Sequence, residues 1–424
     1  MLYIGILIFI VVFYCIITEK VPSSWATMAG GLLMTLIGII NQEQVLETIY
    51  NRLEVLFLLV GMMMIVLLVS ETGVFQWFAI KVAQLVRGEP FKLIILLACV
   101  TALCSAFLDN VTTILLMAPV SILLAKQLKL NPFPFVITEV MSANIGGLAT
   151  LIGDPTQLII GAEGKLTFNE FLFNTAPVAI LSMISLLATV YFMYAKNMKV
   201  SNELKAKIME LDSSRSLKDI KLLKQSIVIF SLVIIGFILN NFVDKGLAII
   251  ALSGAVFLAL IAKKSPKEMF EGVEWETLFF FIGLFMMIKG IENLDIIKFI
   301  GDKMISLTKG HFGGAVFSTM WISAAFTSVI GNVANAATFS KILNIMTPSF
   351  AGEASVKALW WALSFGSCLG GSITMIGSAT NVVAVSASAK ADCKIDFMKF
   401  FKFGSKIAIL NLIAATVYMY LRYL

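Results

Sequence analysis

Apolar segments approaching the ~20 residues needed to cross a lipid bilayer recur along the whole chain, separated by short polar stretches. In the first half, these and shorter helical pieces lie at Leu2–Thr18, Trp25–Ile40, Leu53–Ser70, Gly73–Val86, Phe91–Leu108, Ile114–Leu128, Phe133–Gly147, after Pro155, and at Phe171–Ala195. In the second half they lie at Ser226–Asn240, Leu247–Ala262, Thr277–Ile291, Leu294–Leu307, Phe312–Ile330, Ala334–Met346, Val356–Gly370, after Thr380, and at Phe397–Leu421. This pattern predicts an all-α polytopic membrane protein.

A single long hydrophilic segment, Lys196–Lys224, interrupts this pattern near the middle of the chain. Its charge and its turn-forming residues predict a partly helical connecting loop. The loop separates residues 1–195 from residues 225–424, and the same order of apolar segments occurs on both sides of it. We therefore predict two domains that are copies of one unit.

The register of the duplication can be read from matching polar and glycine positions. Asn110 and Asn332 are 222 positions apart, as are Glu54 and Glu276. Later in each half the spacing becomes 224, which relates Gly146-Gly147 to Gly370-Gly371, Gly153 to Gly377 and Thr156 to Thr380. A nearly constant spacing with one short slip indicates an internal repeat.

The polar joint at Asp109-Asn110 sets the number of membrane crossings in each half. It connects two apolar runs without a loop, which is typical of a re-entrant hairpin whose tip is enclosed by protein. Each half then has five crossings: three before the hairpin, one broken helix and one last helix. Because five is odd, the second half must be inserted in the opposite orientation, and we predict an inverted repeat.

Composition and charge agree with this class. Hydrophobic residues make up 59% of the chain and charged residues 14%, whereas soluble domains average about 25% charged residues. The net charge of +6 comes from lysines and arginines in short loops, which indicates membrane orientation and not a nucleic-acid partner. We expect both termini outside, the 196–224 loop in the cytoplasm, and a location in the inner (plasma) membrane.

The polar interruptions are also the candidate binding site. Paired breaks at matching places in two halves are typical of a transporter site, where unwound backbone and helix ends contact an ion. Glycine pairs allow unwinding and close approach, while Asn and Thr side chains supply oxygens. The candidate ion-binding residues are Asp109, Asn110, Thr112, Thr113, Asn144, Gly146, Gly147, Gly153, Asp154, Thr156, Asn332, Asn335, Gly370, Gly371, Thr374, Thr380 and Asn381. We expect sodium, if it binds, at the Asn110 and Asn332 tips.

Charge is distributed unequally between the copies. Asp109, Asp154 and Glu139 belong to the first half, and Gly331, Ser378 and Leu363 occupy the matching positions in the second. An ionisable residue inside a membrane is a functional candidate by default, because a buried carboxyl group can carry a proton or, when ionised, bind sodium. The alternative is structural: the aspartates cap helices, and the glutamate bonds to a neighbouring helix. We predict that these three residues couple transport to a driving ion.

The segments Ser105–Thr113, Asn144–Gly147 and Ile152–Pro155 closely resemble the signature of the melanosomal P protein and its prokaryotic relatives. That group belongs to the ion transporter superfamily, beside arsenite permeases, NhaD-type sodium/proton antiporters and citrate carriers. The resemblance implies a homodimeric elevator transporter, in which the hairpins and broken helices move against a scaffold. A carboxylate at the first tip, with no basic residue nearby, departs from the Ser-Asn-Thr tips of sodium-coupled carboxylate carriers.

We therefore expect a secondary active transporter of a small inorganic ion and no enzymatic activity. Arsenite or antimonite efflux and sodium/proton antiport are the leading chemistries, with protons or sodium as coupling ion and no other cofactor. A sodium-coupled citrate or dicarboxylate transporter is the alternative. An intramembrane enzyme with Asp109 and Asp154 as its catalytic pair is the alternative of another class, and the symmetric hairpins argue against it.

Overall fold

The fold is known from a computed structural model that describes residues 1–18, 20–195, 198, 200–243, 245–352 and 355–424. The described residues form α-helices, short 3-10 turns and loops, and they include no strand. The helices of the first half are α1 (Leu2–Thr18), α2 (Ser23–Leu36), α3 (Gln42–Tyr50), α4 (Leu53–Glu71), α5 (Val74–Leu85), α6 (Pro90–Phe107), α7 (Asn110–Gln127), α8 (Phe133–Leu148), α9 (Pro155–Gly164) and α10 (Phe168–Tyr194), followed by α11 (Asn202–Met209) in the connecting loop. Those of the second half are α12 (Ile220–Val243), α13 (Leu247–Ala262), α14 (Pro266–Glu271), α15 (Trp275–Asn293), α16 (Ile296–Leu307), α17 (Phe312–Ile330), α18 (Asn332–Met346), α19 (Ala358–Gly370), α20 (Ala379–Lys390) and α21 (Phe397–Tyr423).

Helix length and hydropathy confirm the predicted all-α polytopic membrane protein. Seven helices of the described residues are long and apolar enough to cross a membrane, and α15 with α16 forms a further candidate that bends by 70° at its break. Four shorter apolar helices, α1, α8, α13 and α19, add to this set. Both arms of each predicted hairpin are present, as α6–α7 and α17–α18.

Capping residues account for some differences between predicted and observed helices. Helix α7 begins at Asn110, four residues before the predicted start, because the Asp109 side chain accepts a hydrogen bond from the Thr112 backbone N–H. Helix α3 was not predicted. It is a polar helix that begins with a capping box between Asn41 and Gln44, a signal that a search for apolar runs overlooks.

The connecting loop packs onto the first half. The Lys218 N–H donates to the Thr72 carbonyl oxygen at 2.9 Å, and Lys205 pairs with Glu89 at 2.5 Å. The hydrogen bond from Lys205 lowers the pKa of Glu89. Part of the predicted loop, at Lys196, Asn197 and Lys199, lies outside the described residues, and its predicted last turn is already helical because α12 begins at Ile220.

Contacts between the two halves come in reciprocal pairs. Helix α4 packs against α13, and its counterpart α15 packs against α2; likewise α9 packs against α18, and α20 against α7. Gly61 and Gly283, which are matched in the repeat, make the first pair of contacts possible. A Cβ atom on Gly61 would lie 2.8 Å from the Ala251 carbonyl carbon, and one on Gly283 would clash with the backbone of Met28. This packing is consistent with duplication, while the opposite membrane orientation of the halves stays a prediction.

Candidate functional site

Both hairpin tips meet at one carboxylate. Asp154 lies just before α9 and is 1% exposed. Its Oδ2 accepts a hydrogen bond from Asn110 Nδ2 at 2.6 Å and from Asn332 Nδ2 at 3.0 Å. The first asparagine begins α7 and the second begins α18, so a first-half carboxylate joins the hairpins of both halves. The structure therefore brings together three predicted site residues that lie far apart in sequence.

A cavity of about 730 Å³ opens beside this cluster. Four carboxyl side chains line it: Asp109, Asp154, Glu274 and Glu276. No lysine, arginine or histidine is among the described residues that line it, and most of its remaining wall is apolar. Acidic groups without basic partners make the cavity attractive to cations and unfavourable for anions.

The capping role weighed for the two aspartates is present, and it coincides with the cavity. Asp109 Oδ1 accepts from the Thr112 N–H at 2.8 Å, and Asp154 Oδ1 accepts from the Thr156 N–H at 2.7 Å. The matching residues in the second half, Gly331 and Ser378, make no side-chain cap. Gly331 has φ of +86°, a conformation that glycine adopts without strain. The first copy thus supplies both the caps and the charge.

The broken helices contact each other through a second reciprocal pair. Asn144 Nδ2 donates to Asn381 Oδ1 at 2.9 Å, and in the repeat-related contact Gln157 Nε2 donates to Cys368 Sγ at 2.8 Å. Ser378, which lines the cavity, donates to Asn144 Oδ1 at 3.3 Å. Asn144 and Asn381 therefore lie behind the cavity wall, where they join the two breaks.

The predicted site glycines pack helices and do not line the cavity. A Cβ atom on Gly146 would clash with the Ala102 backbone in α6, and one on Gly370 would lie 2.6 Å from the Ala324 carbonyl oxygen in α17. Within the breaks, Gly147 faces Gly153 and Gly371 faces Gly377 in the same close manner. The space beside these glycines, where we expected a ligand, is filled by the backbone of a neighbouring helix. This packing holds each break against the first arm of its hairpin.

Several hydroxyl and amide groups also lie outside the cavity lining. Thr374 donates to the Ser328 carbonyl oxygen at 2.5 Å, and Thr113 donates to the Asp109 carbonyl oxygen at 2.9 Å. Thr112 contributes its N–H to the Asp109 cap. Three fully buried oxygens have no hydrogen-bond partner among the described residues: Thr156 Oγ1, Thr380 Oγ1 and Asn335 Oδ1. Buried polar atoms without partners are uncommon, so these are the predicted ligands with free bonding capacity.

Glu139 lies apart from the cavity. It is 1% exposed within α8, and its Oε1 accepts a hydrogen bond from Ser121 of α7. Its Oε2 has no partner among the described groups. This is the bond to a neighbouring helix that the structural alternative anticipated, and one carboxyl oxygen remains available to hold a proton.

Two cavity carboxylates, Glu274 and Glu276, were not among the predicted site residues. Glu274 accepts from Thr277 Oγ1 at 3.1 Å, and Glu276 accepts from Ser24 Oγ at 3.5 Å. The sequence did contain a signal for them: both glutamates lie at the start of an apolar helix, in a chain with few charged residues. The acidic side chains do not converge: the described residues include no group of three or more His, Cys, Asp or Glu side chains arranged to hold a metal ion.

The fold and the site together define a helical membrane protein with paired hairpins and broken helices around a largely apolar cavity that carries four carboxyl groups. Residues 13–366 match the family model described as Citrate transporter, and the chain belongs to this family. The predicted membership of the ion transporter superfamily is confirmed.

The relatives cover the whole chain. A "46 kDa membrane protein" from Mycobacterium leprae is 35% identical, over 99% of this chain and 99% of its own length. The P protein of Sus scrofa is 31% identical over 96% of this chain, which spans 58% of that protein. Among solved structures, the Alcanivorax borkumensis YdaH transporter covers 90% of this chain and is itself covered to 89%, with a TM-score of 0.58 and 12% identity. At 12% identity, the similarity to this last structure shows a shared fold and nothing further.

Proposed function

We propose that the protein is a secondary active antiporter that exchanges a small inorganic cation, with sodium or lithium as the favoured substrates, against protons. The observation that carries the proposal is the cavity beside Asp154, with its four carboxylates and no basic residue among its described lining. A desolvated cation needs oxygen ligands and negative charge, and this cavity offers both.

The cluster at Asp154 supports exchange between a proton and a cation. Asn110 and Asn332 both donate to Asp154 through Nδ2, so the carboxylate has hydrogen-bond partners when no cation is bound. A half-turn of either amide group would present Oδ1 in place of Nδ2, which converts the same side chains into cation ligands. Protonation of Asp154 weakens its attraction for the cation, so one group can serve both ions in turn. Asp109 and Glu139 are the further coupling residues of this proposal.

A sodium-coupled citrate or dicarboxylate transporter is the second candidate, and the family description supports it. The cavity chemistry argues against it, because a multiply charged anion next to Asp109, Asp154, Glu274 and Glu276 would be repelled without a basic partner. Arsenite or antimonite efflux fits the cavity less well than cation exchange, since Cys368 is bonded to Gln157 and does not line it. An enzymatic role for the two aspartates has no support in the names of the relatives.

We further propose the elevator mechanism and the homodimer that the resemblance implies, and the inverted repeat that the odd number of crossings predicts. The 196–224 loop would then lie on the cytoplasmic side of the inner (plasma) membrane. The reciprocal contacts between the halves support the repeat. The cavity lies toward the start of α15, on the side that the loop charges predict to be cytoplasmic.

Transport in proteoliposomes tests the function. Vesicles holding purified protein are given an imposed pH gradient, and uptake of sodium, lithium, arsenite, antimonite and citrate is measured in parallel. We expect proton-coupled flux of sodium or lithium and no flux of citrate. Citrate uptake driven by a sodium gradient, with no cation–proton exchange, would establish the second candidate instead.

A further inference from the structure

A second cavity of about 430 Å³ lies at the other ends of the helices that enclose the first. Three helices line both cavities: α9, α15 and α18. Helix α4 lines the first cavity, and Arg52, the residue just before it, lines the second. In α9, for example, Leu158 lines the first cavity and Ile159 the second; in α15, Phe281 lines the first and Phe285 the second. A layer of apolar side chains therefore separates the two cavities along these helices.

These helices belong to two differently packed groups. Helix α4 packs chiefly on α13, and α15 chiefly on α2, whereas α9 and α18 pack on each other and on α19. If transport moves one group against the other, the contacts between α4 or α15 and α9 or α18 are those that must change.

One ion pair crosses this boundary inside the second cavity. Arg52, at the start of α4, pairs with Glu163 near the end of α9, and their side chains are 11% and 9% exposed. The Arg52 guanidinium also lies over the Phe285 ring, 5.2 Å from its centre. A pair this buried holds the two groups together more firmly than a solvent-exposed pair, because separation leaves charges in a poorly hydrated space.

Glu163 has further partners within its own group, and Arg52 shares the second cavity with a carboxylate of its own group. Lys341 of α18 lies 3.1 Å from Glu163, and Asn344 donates to Glu163 at 3.0 Å. On the other side, Glu292 of α15 lines the same cavity as Arg52. When α9 and α18 move together, Glu163 keeps Lys341, and Arg52 stays in the same cavity as Glu292, which lies 3.6 Å from Lys289.

We propose that Arg52 and Glu163 form a releasable latch that favours the arrangement with the first cavity open, and that Lys341 and Glu292 stabilise the released state. The latch rests on the proposed function in requiring relative motion of the two helix groups, but not on the identity of the transported ion. Arg52 and Glu163 are positioning residues and do not contact the Asp154 cluster.

The charges predict that two substitutions change how often the second cavity opens, and that they do so in opposite directions. Arg52→Gln removes the bond across the boundary and leaves Glu163 paired with Lys341, so the second cavity should open more often. Lys341→Gln leaves Glu163 with Arg52 as its cationic partner, so the latch should hold longer. If the cluster only stabilised the fold, both substitutions would act in the same direction.

Cysteine labelling measures this equilibrium in protein reconstituted in nanodiscs, where a polar thiol reagent reaches both faces. The reporters are Ala337→Cys in the second cavity and Ala379→Cys in the first, each quantified by peptide mass spectrometry alongside the native cysteines. With Arg52→Gln we expect the labelling rate of the second-cavity reporter to rise about tenfold, and that of the first-cavity reporter to fall, on loss of a buried pair. With Lys341→Gln the changes should reverse.

The matched control is Lys264→Gln, which removes a 2.8 Å ion pair with Glu71 beside the α4–α13 contact. It should leave both labelling rates unchanged. Glu163→Gln is the second test of the latch, should Arg52→Gln not give monodisperse protein. Unchanged rates, or changes of the same sign in Arg52→Gln and Lys341→Gln, would overturn the latch. Opposite changes without cation flux would overturn the proposed substrate and leave the latch standing.

Discussion

Asp154 does three things with one side chain. It caps α9, accepts hydrogen bonds from both hairpin tips, and lines the cavity. Its counterpart Ser378 makes no cap and contacts Asn144 instead. The proposed function therefore depends on a position where the two copies of the repeat differ, although the surrounding scaffold is shared.

Replacing the charge at this position should stop transport without unfolding the protein. In Asp154→Asn the side-chain oxygen can still accept from the Thr156 N–H, but the negative charge that attracts a cation is gone. We expect proton-coupled cation flux in proteoliposomes to fall to the level of protein-free vesicles, and Asp109→Asn to behave in the same way.

Asp302→Asn is the matched control, because Asp302 is exposed on α16 and does not line the cavity. It should transport like the unmodified protein. Gel filtration and thermal unfolding in detergent confirm that each variant is folded. Unmodified rates in both Asp109→Asn and Asp154→Asn would contradict the carboxylate mechanism.

At the scale of the element, the sequence predicted the hairpins and breaks closely. The helix ends at Phe107 and Ile330 follow from polar or glycine residues placed directly after apolar runs. What could not be predicted is which side of each helix faces the cavity. Glu274 and Glu276 line it because α15 packs on α2, a contact between residues about 250 positions apart, and no local pattern reports such contacts.

The same limit explains the site glycines. A sequence shows that Gly146 and Gly370 allow close approach, but not what approaches them. In the structure, the partners are the backbones at Ala102 and Ala324. Each hairpin and break is thus fastened into a single unit at a matching place, reinforced by the bonds from Thr150 to the Ala106 carbonyl oxygen and from Thr374 to the Ser328 carbonyl oxygen.

Adding one methyl group should loosen this unit. Gly146→Ala or Gly370→Ala forces a Cβ atom against backbone that cannot rotate away, and we expect each to destabilise the protein by about 1–3 kcal/mol. Thermal unfolding in detergent measures the effect. Gly313→Ala, also in a helix, is the control, because its nearest neighbour is a Leu424 methyl at 3.5 Å. Equal melting temperatures for all three variants would show that these helices can separate without cost.

At the scale of the whole molecule, neither half buries all of its own surfaces. The contacts of α4 with α13, α15 with α2, α9 with α18, and α20 with α7 all cross between halves. Each half therefore provides the packing surface of the other, and the cavity contains residues from both. This interdependence was implied by the repeat, but its particular pairs of helices became evident only from the fold.

Separated halves should therefore assemble only together. We expect residues 1–195 and residues 200–424, expressed as two chains in one cell, to co-purify through a tag on one of them, whereas each chain alone should be degraded or aggregate. Gly283→Leu in the second chain is the control, because its side chain would collide with the Met28 backbone in α2 and block assembly. Stable, monodisperse halves expressed singly would contradict this interdependence.

The shared carboxylate at Asp154 also bears on when the two hairpin tips change their hydrogen bonds. Because Asn110 and Asn332 both donate to it, a single proton or cation arriving there changes the bonding of both tips in the same event. We therefore expect the two hairpin tips to respond to the same event, because one carboxyl group accepts from both. In the proposed antiport, a carboxyl group shared by both copies of the repeat would keep the two hairpins in the same state of occupancy.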